Sequence, residues 1–269
     1  MVAGARAGMI SVAGTRRART EREARMTILV ADYGMNVYHG GMHDLAQRLE
    51  SLKAIGYDGL ERLTAATEAQ VLEAAATFRR LGCRFATVQA PTPDLCIRWS
   101  AAMGCTYVWA SPTAPDLDGL VRQVNGQVRA AEAWGIRIGL HNHMGTPVES
   151  HEQVIGFLER CPEAGLVLDT AHLAAMGGDP VAVVREYPER VLQVHLKDWI
   201  AEREHTEWHR RGRFCELGAG NIGLDNGAVV RALAEAGYAG TVCVEQDTHL
   251  RDPLEDLAVS RRHLAGLGL

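Results

Sequence analysis

The stretch AWGIRIGLHNH (133–143) decides the fold. A helix-type segment closes at Gly135, an apolar run follows through Ile136, Ile138 and Leu140, and the run finishes in His141 and His143. Glycine just past a helix supplies the left-handed backbone that ends it without a Cβ penalty. A strand then follows within a short connection. The same order recurs at AIGYDGLERL (54–63), RLGCRFATVQA (80–90), AMGCTYVWAS (102–111), EAGLVLDT (163–170) and EAGYAGTVCVEQ (235–246). TILVAD (27–32) adds a first strand, and VLQVHLKD (191–198), entered through Pro188, adds a seventh. The intervening segments are amphipathic, as in Leu45, Leu49 and Leu52, or Val121, Val124 and Val128. Eight strands alternating with helices predict a (β/α)8 TIM barrel. The alternative is an open doubly wound sheet, which would carry a Gly-rich phosphate loop after its first strand. ADYGMNVYHGG (31–41) does not fit GxGxxG.

Four of these strands end in side chains that a buried strand cannot use: IGLHNH (138–143), LVLDTAH (166–172), VLQVHLKD (191–198) and TVCVEQD (241–247). An unpaired charge in a core costs several kcal/mol. The pattern predicts that the four tips meet at one rim and share a cation. In a barrel that rim is the C-terminal end of the strands, where loops from different βα units assemble the active site. Strand alternation puts His141 with His143, and His195 with Lys197, on common faces. Carboxylates combined with imidazoles suit a divalent ion such as Mn²⁺, Co²⁺, Mg²⁺ or Zn²⁺.

Composition narrows the classes. The 269 residues carry a net charge of −5, which argues against a nucleic-acid groove or an anionic membrane partner. No apolar run reaches the roughly 18 residues of a spanning helix. Cys83, Cys96, Cys105, Cys161, Cys215 and Cys243 form no CxxC pair and read as reduced, buried thiols of a cytoplasmic protein. Residues 1–25 are rich in Ala, Gly and Arg, and the Arg16–Arg17 pair lacks the apolar stretch of an export signal. They read as a disordered extension or a misassigned start ahead of Met26, leaving one barrel domain over 26–269.

Several motifs carry a resemblance. DTAHL (169–173) with GGDP (177–180), VHLKD (194–198), LGAG (217–220) and VEQD (244–247) are similar to those of the xylose isomerase-like TIM barrel superfamily. That group holds sugar phosphate isomerases and epimerases, inosose dehydratase and endonuclease IV. HNHMGTPVE (141–149) most resembles the inosose (2-keto-myo-inositol) dehydratases. The resemblance implies Asp169, His195 and Glu245 as metal ligands, with Glu149 or His141 as the fourth and Glu149 the better match. It implies a metal-dependent lyase or isomerase, with Mn²⁺ or Co²⁺ as the leading ions and Mg²⁺ or Zn²⁺ behind them. The implied chemistry is proton abstraction alpha to a carbonyl on a keto sugar or cyclitol. Loss of a β-hydroxyl then gives dehydration, and return of the proton to the opposite face gives epimerisation. Lys197, His172 and Glu245 are the expected catalytic groups. His141, His143, Glu61, Gln89 and Arg213 are the expected substrate contacts, with Ser111 beside them. Pairing of barrel helices implies a homo-oligomer.

Other readings stand beside these. Lys197 has Asp198 and Glu216 as structural partners to choose from, and WIAEREHTEWHRRGRFCE (199–216) reads as a solvated loop or as a lid. An endonuclease IV-type nuclease needs further His and Asp ligands and a basic groove, which this acidic chain does not offer. A non-catalytic partner subunit has no need of an intact ligand set.

Overall fold

The computed structural model describes residues 26–38 and 44–269. The expectation for residues 1–25 lies outside the described residues. The strands are β1 (Thr27–Ala31), β2 in two pieces (Gly59–Leu60 and Arg62–Thr64), β3 (Thr87–Gln89), β4 (Tyr107–Trp109), β5 (Arg137–His141), β6 (Gly165–Asp169), β7 (Val191–Leu196) and β8 (Thr241–Glu245). Seven of them pair in parallel in the order β2-β1-β8-β7-β6-β5-β4, and the second piece of β2 pairs on to β3. Among the described residues no ladder joins β3 to β4. This curled parallel sheet, ringed by helices, is the expected (β/α)8 barrel.

Local chemistry sets the helix ends. Asp44, Thr67, Thr92, Asp116 and Ser150 each accept a hydrogen bond from the backbone N–H three residues on. Gly56 and Gly82 close their helices in the left-handed conformation, as the sequence pattern requires. None of the helices among the described residues is long and apolar enough to cross a membrane.

Alternation along the strands divides the protein into two interiors. Ile138, Leu140, Leu166, Leu168, Val194, Leu196, Val242 and Val244 pack outward against the helices in the main apolar core. The opposite faces turn into the barrel, where Leu29, Ala31 and Cys243 form a small apolar plug. Above that plug the barrel interior is polar.

One irregularity sets the level at which those polar groups meet. Leu166 of β6 pairs with Val191 of β7, but Val167 pairs with Gln193, so Leu192 is an extra residue in β7. A one-residue slip exchanges the faces of everything beyond it. The slip brings Asp169 level with His195. Gly165 makes room for it, because a Cβ there would lie 2.4 Å from Leu192 Cγ.

Two sequence expectations are corrected. Residues 199–216 are not simply a solvated loop: Asp198–Ala201 pairs antiparallel with Gly212–Cys215. Trp199 and Phe214 are buried between this hairpin and the barrel rim, their ring centroids 4.7 Å apart. The six cysteines are all free, but only Cys161, Cys215 and Cys243 are buried; Cys83, Cys96 and Cys105 are half-buried.

Candidate metal-binding site

Asp169 and His195, register partners on β6 and β7, are both fully buried. Glu245 ends β8 and His141 ends β5. One nitrogen or oxygen from each of these four residues lies within 4.8 Å of all the others. His141 Nε2 is 3.4 Å from Asp169 Oδ2. His195 Nδ1 is 3.8 Å from that same oxygen and 2.6 Å from Glu245 Oε2. Four ligands about 2.1 Å from a tetrahedral ion would stand about 3.4 Å apart. Two imidazole nitrogens and two carboxylate oxygens at this spacing fit a borderline divalent ion.

The fourth corner is where the geometry departs from expectation. Glu149 is absent from the cluster; its Oε2 accepts from the backbone N–H of Gly145 at 2.6 Å. His141 stands in its place because it is the last inward residue of β5, whereas Glu149 lies beyond a turn.

Lys197 is 1% exposed, and its Nζ lies 2.7 Å from Asp247, 3.1 Å from Glu245 and 3.5 Å from Asp169. Its ammonium also sits 4.1 Å above the Phe214 ring. The alternative of Asp198 as its partner is not realised. Asp198 instead accepts from the backbone N–H groups of Trp199 and Gly218, which anchors the hairpin to the LGAG turn.

The electrostatics follow from this packing. Burial opposes the charge on Lys197, but Glu245, Asp169 and Asp247 override it and raise its pKa. Burial likewise disfavours ionised Asp169 and Glu245, yet Lys197 holds both well below the usual carboxylate range. Desolvation lowers His195, but Glu61 and Glu245 bring it up to about 10, so without an ion its ring is a cation. Burial takes His172 down to about 2 and Asp247 up to about 7, Glu245 adding to the latter. Desolvation also lowers His141 and His143.

A cavity of about 470 Å³ opens over the cluster, walled by Tyr33, Arg62, Trp109, His141, His143, Lys197, Trp208, Arg213, Glu245 and Asp247 among others. A larger one of about 860 Å³ adjoins it through Trp109, His141 and His143, with Glu149 on its wall. Of the expected contacts, His141, His143 and Arg213 therefore reach the cavity over the cluster; Arg213 is held by Glu202 at 3.3 Å. Gln89 and Ser111 line a neighbouring cleft at the β3–β4 seam, which meets the cavity over the cluster at Arg62 and Trp109. Glu61 is fully buried beneath His195, and His172 is fully buried behind Lys197, 3.3 Å from its Nζ. Neither wall of the cavity includes them. Sequence reasoning placed Asp247 at the polar end of the last strand without giving it a role, and did not single out Trp109, Trp208 or Arg62. Asp247 was legible there because it shares an inward face with Glu245 two residues before it.

A family model described as xylose isomerase-like TIM barrel matches residues 49–266. The rhizopine catabolism protein MocC of Rhizobium meliloti is 33% identical over 149 residues, 51% of this chain and 45% of that protein. The inosose dehydratase of Clostridium beijerinckii is 31% identical over 149 residues, 51% of this chain and 49% of that one. The chain thus spans about half the length of the curated relatives it matches. A crystal structure of the IOLI protein with a binding zinc atom superposes with a TM-score of 0.68 and 18% identity, covering 90% of this chain and 98% of that one. At that identity the likeness is one of fold. The family match runs through the barrel from its first long helix to its last, and on that ground the chain belongs to the xylose isomerase-like TIM barrel family.

Proposed function

We propose that this chain is a divalent-metal-dependent enzyme that removes the proton alpha to a carbonyl on a keto sugar or cyclitol, in the manner of an inosose dehydratase. The observation that carries the reading is the meeting of His141, Asp169, His195 and Glu245 beneath a walled cavity that His141 and Glu245 line. The likeness to inosose dehydratase supports the substrate class. The four residues would hold Mn²⁺, Co²⁺ or Zn²⁺, with Mg²⁺ less suited to two nitrogen donors. Bound there, the ion supplies Lewis acidity toward a carbonyl oxygen.

The chain's own groups do the rest. Lys197, fixed by three carboxylates, supplies positive charge beside the cluster and does not act as a base while so held. Asp247 shares the cavity wall with Lys197 and is 17% exposed at its side chain, which places a carboxylate where a substrate proton can be taken or returned. Trp109 and Trp208 give the cavity apolar faces that shed water from a sugar ring. His172 supports Lys197 from behind and does not touch substrate.

The test is a screen of inososes and ketohexoses with Mn²⁺ or Co²⁺ in ²H₂O, read by NMR. Exchange at the carbon next to the carbonyl is expected, with water loss marking dehydration and inversion marking epimerisation. Glu245→Gln should abolish exchange while circular dichroism stays native. Unchanged exchange in that variant would remove Glu245 from the mechanism.

A further inference from the structure

The buried Glu61 is unexplained by any contact with substrate. It sits between the two pieces of β2, where the chain leaves β1 and crosses to β3. Its N–H donates to the carbonyl of Val30 on one side, and its carbonyl accepts from the N–H groups of Ala86 and Thr87 on the other. Gly59, two residues earlier, makes that crossing close, since a Cβ there would lie 2.0 Å from the Arg84 carbonyl oxygen. Backbone hydrogen bonds on both sides thus fix where the Glu61 carboxylate emerges, inside the barrel with no exposed surface.

There it meets His195. Glu61 Oε1 lies 2.6 Å from His195 Nε2 and also accepts from the amide of Gln193, which shares the inward face of β7. The other ring nitrogen, Nδ1, faces Glu245 and Asp169. The two edges of the ring differ in access. Glu245, His141 and Lys197 line the cavity, whereas Glu61, Gln193 and Cys243 lie in the sealed barrel interior. An ion arriving from the cavity reaches Nδ1 and not Nε2.

We infer that Glu61 is a positioning residue: by taking the Nε2–H of His195 it fixes the ring's tautomer and orientation, so that Nδ1 presents its lone pair to the cation. The inference rests on the four-residue site proposed above. A carboxylate that accepts the second N–H of a ligating histidine raises the donor strength of the first nitrogen, and losing such a partner costs roughly 10- to 100-fold in metal affinity. Arg62 completes the arrangement, its Nε lying 3.3 Å from Glu61 Oε2 and its guanidinium 4.9 Å over the Trp109 ring. A cavity-wall residue thereby reaches the histidine through one buried carboxylate.

The test uses the full chain with Zn²⁺ by calorimetry, and ¹⁵N-resolved NMR of the His195 ring with and without zinc. Wild type is expected to bind one ion and to show Nε2 protonated in both states, with a downfield proton shared with Glu61. Glu61→Leu should lose that proton and bind zinc roughly 10- to 100-fold more weakly. Glu61→Gln, which keeps an acceptor without its charge, should fall between and serves if the leucine variant folds poorly. Wild-type affinity in both variants, or an unprotonated Nε2 in the zinc-loaded wild type, would overturn the inference. Two ions per wild-type chain would also overturn it, because Glu61, His195 and Cys243 would then be ligands of the second. Failure of wild type to bind zinc while the Nε2 proton persists would instead sink the four-residue site.

Discussion

Replacing Lys197 with methionine removes the cation of the rim and leaves a side chain of similar length. The ammonium lies 2.7, 3.1 and 3.5 Å from Asp247, Glu245 and Asp169. At an effective dielectric constant of about 20, each contact is worth about 5–6 kcal/mol of Coulomb attraction. Burying four charges cancels most of that, and removing one partner of such a cluster costs about 3–5 kcal/mol net. For a domain of this size that lowers Tm by about 6–20 °C. The pH dependence fixes the cause. Asp169 and Glu245 are held below their ordinary values of 3.8 and 4.5, so their contribution is fully present above those values and is lost as pH falls through the depressed ones. The deficit of Lys197→Met should therefore be largest at neutral pH and shrink in acid. Urea unfolding at pH 7.5 and at pH 3, in EDTA, measures it. Added Mn²⁺ should stabilise the variant more than wild type, since the ion then supplies the missing positive charge. A deficit below about 1 kcal/mol at neutral pH, or one that does not narrow in acid, refutes the claim that Lys197 neutralises these carboxylates.

Two further outcomes follow from the packing. Gly165→Val should destabilise the barrel by about 1–3 kcal/mol, since its Cβ meets Leu192 Cγ at 2.4 Å and the Arg190 carbonyl at 2.8 Å. Leu192→Ala in the same chain should restore part of that in urea unfolding, and no recovery would show that the extra residue of β7 is not what needs the space. Trp208→Ala should raise KM about 10-fold for any substrate found in the exchange screen while moving kcat less, because an aromatic wall is worth about 1.5 kcal/mol. A change confined to kcat would place Trp208 in the chemistry and not in the wall.

Much of this arrangement was legible before any coordinates. The Gly-then-strand pattern locates the barrel strands because helix closure and strand propensity act locally, within a few residues. The convergence of Asp169, His195 and Glu245 was legible for the same reason: each ends a run of β-formers and the fold gathers such ends. The hairpin over Asp198–Ala201 and Gly212–Cys215 was hidden, because Trp199 and Phe214 are its only large buried side chains and charged residues separate its two strands. The choice between His141 and Glu149 turns on how the 144–149 loop closes, which the spacing alone does not determine. Glu61 read equally as a substrate contact and as a structural rim residue, and it is fully buried away from the cavity. In sequence it looks like every other polar strand end, and its burial follows from a crossing between β1 and β3 that depends on neighbours about 25–30 residues away on either side.

The charges of the barrel interior give the strongest physical reason to expect a doubly charged ion. Glu61, Asp169, Glu245 and Asp247 face Lys197, Arg62 and a protonated His195, which leaves one negative charge in excess when all four carboxylates are ionised. His195 Nδ1 lies 2.6 Å from Glu245 Oε2, at the corner toward which Asp169 and His141 also point, and in the protonated ring its proton occupies that corner. A divalent ion held in place of that proton would bring the interior to neutrality, with His195 a neutral ring whose remaining N–H stays with Glu61. A monovalent ion exchanging for the same proton leaves the excess as it was. Burial makes this difference matter, because an unbalanced charge costs far more inside the barrel than at its surface. The residues that look redundant for ligation are the ones that set this balance: Glu61 beneath the histidine, and Lys197 with Asp247 beside it.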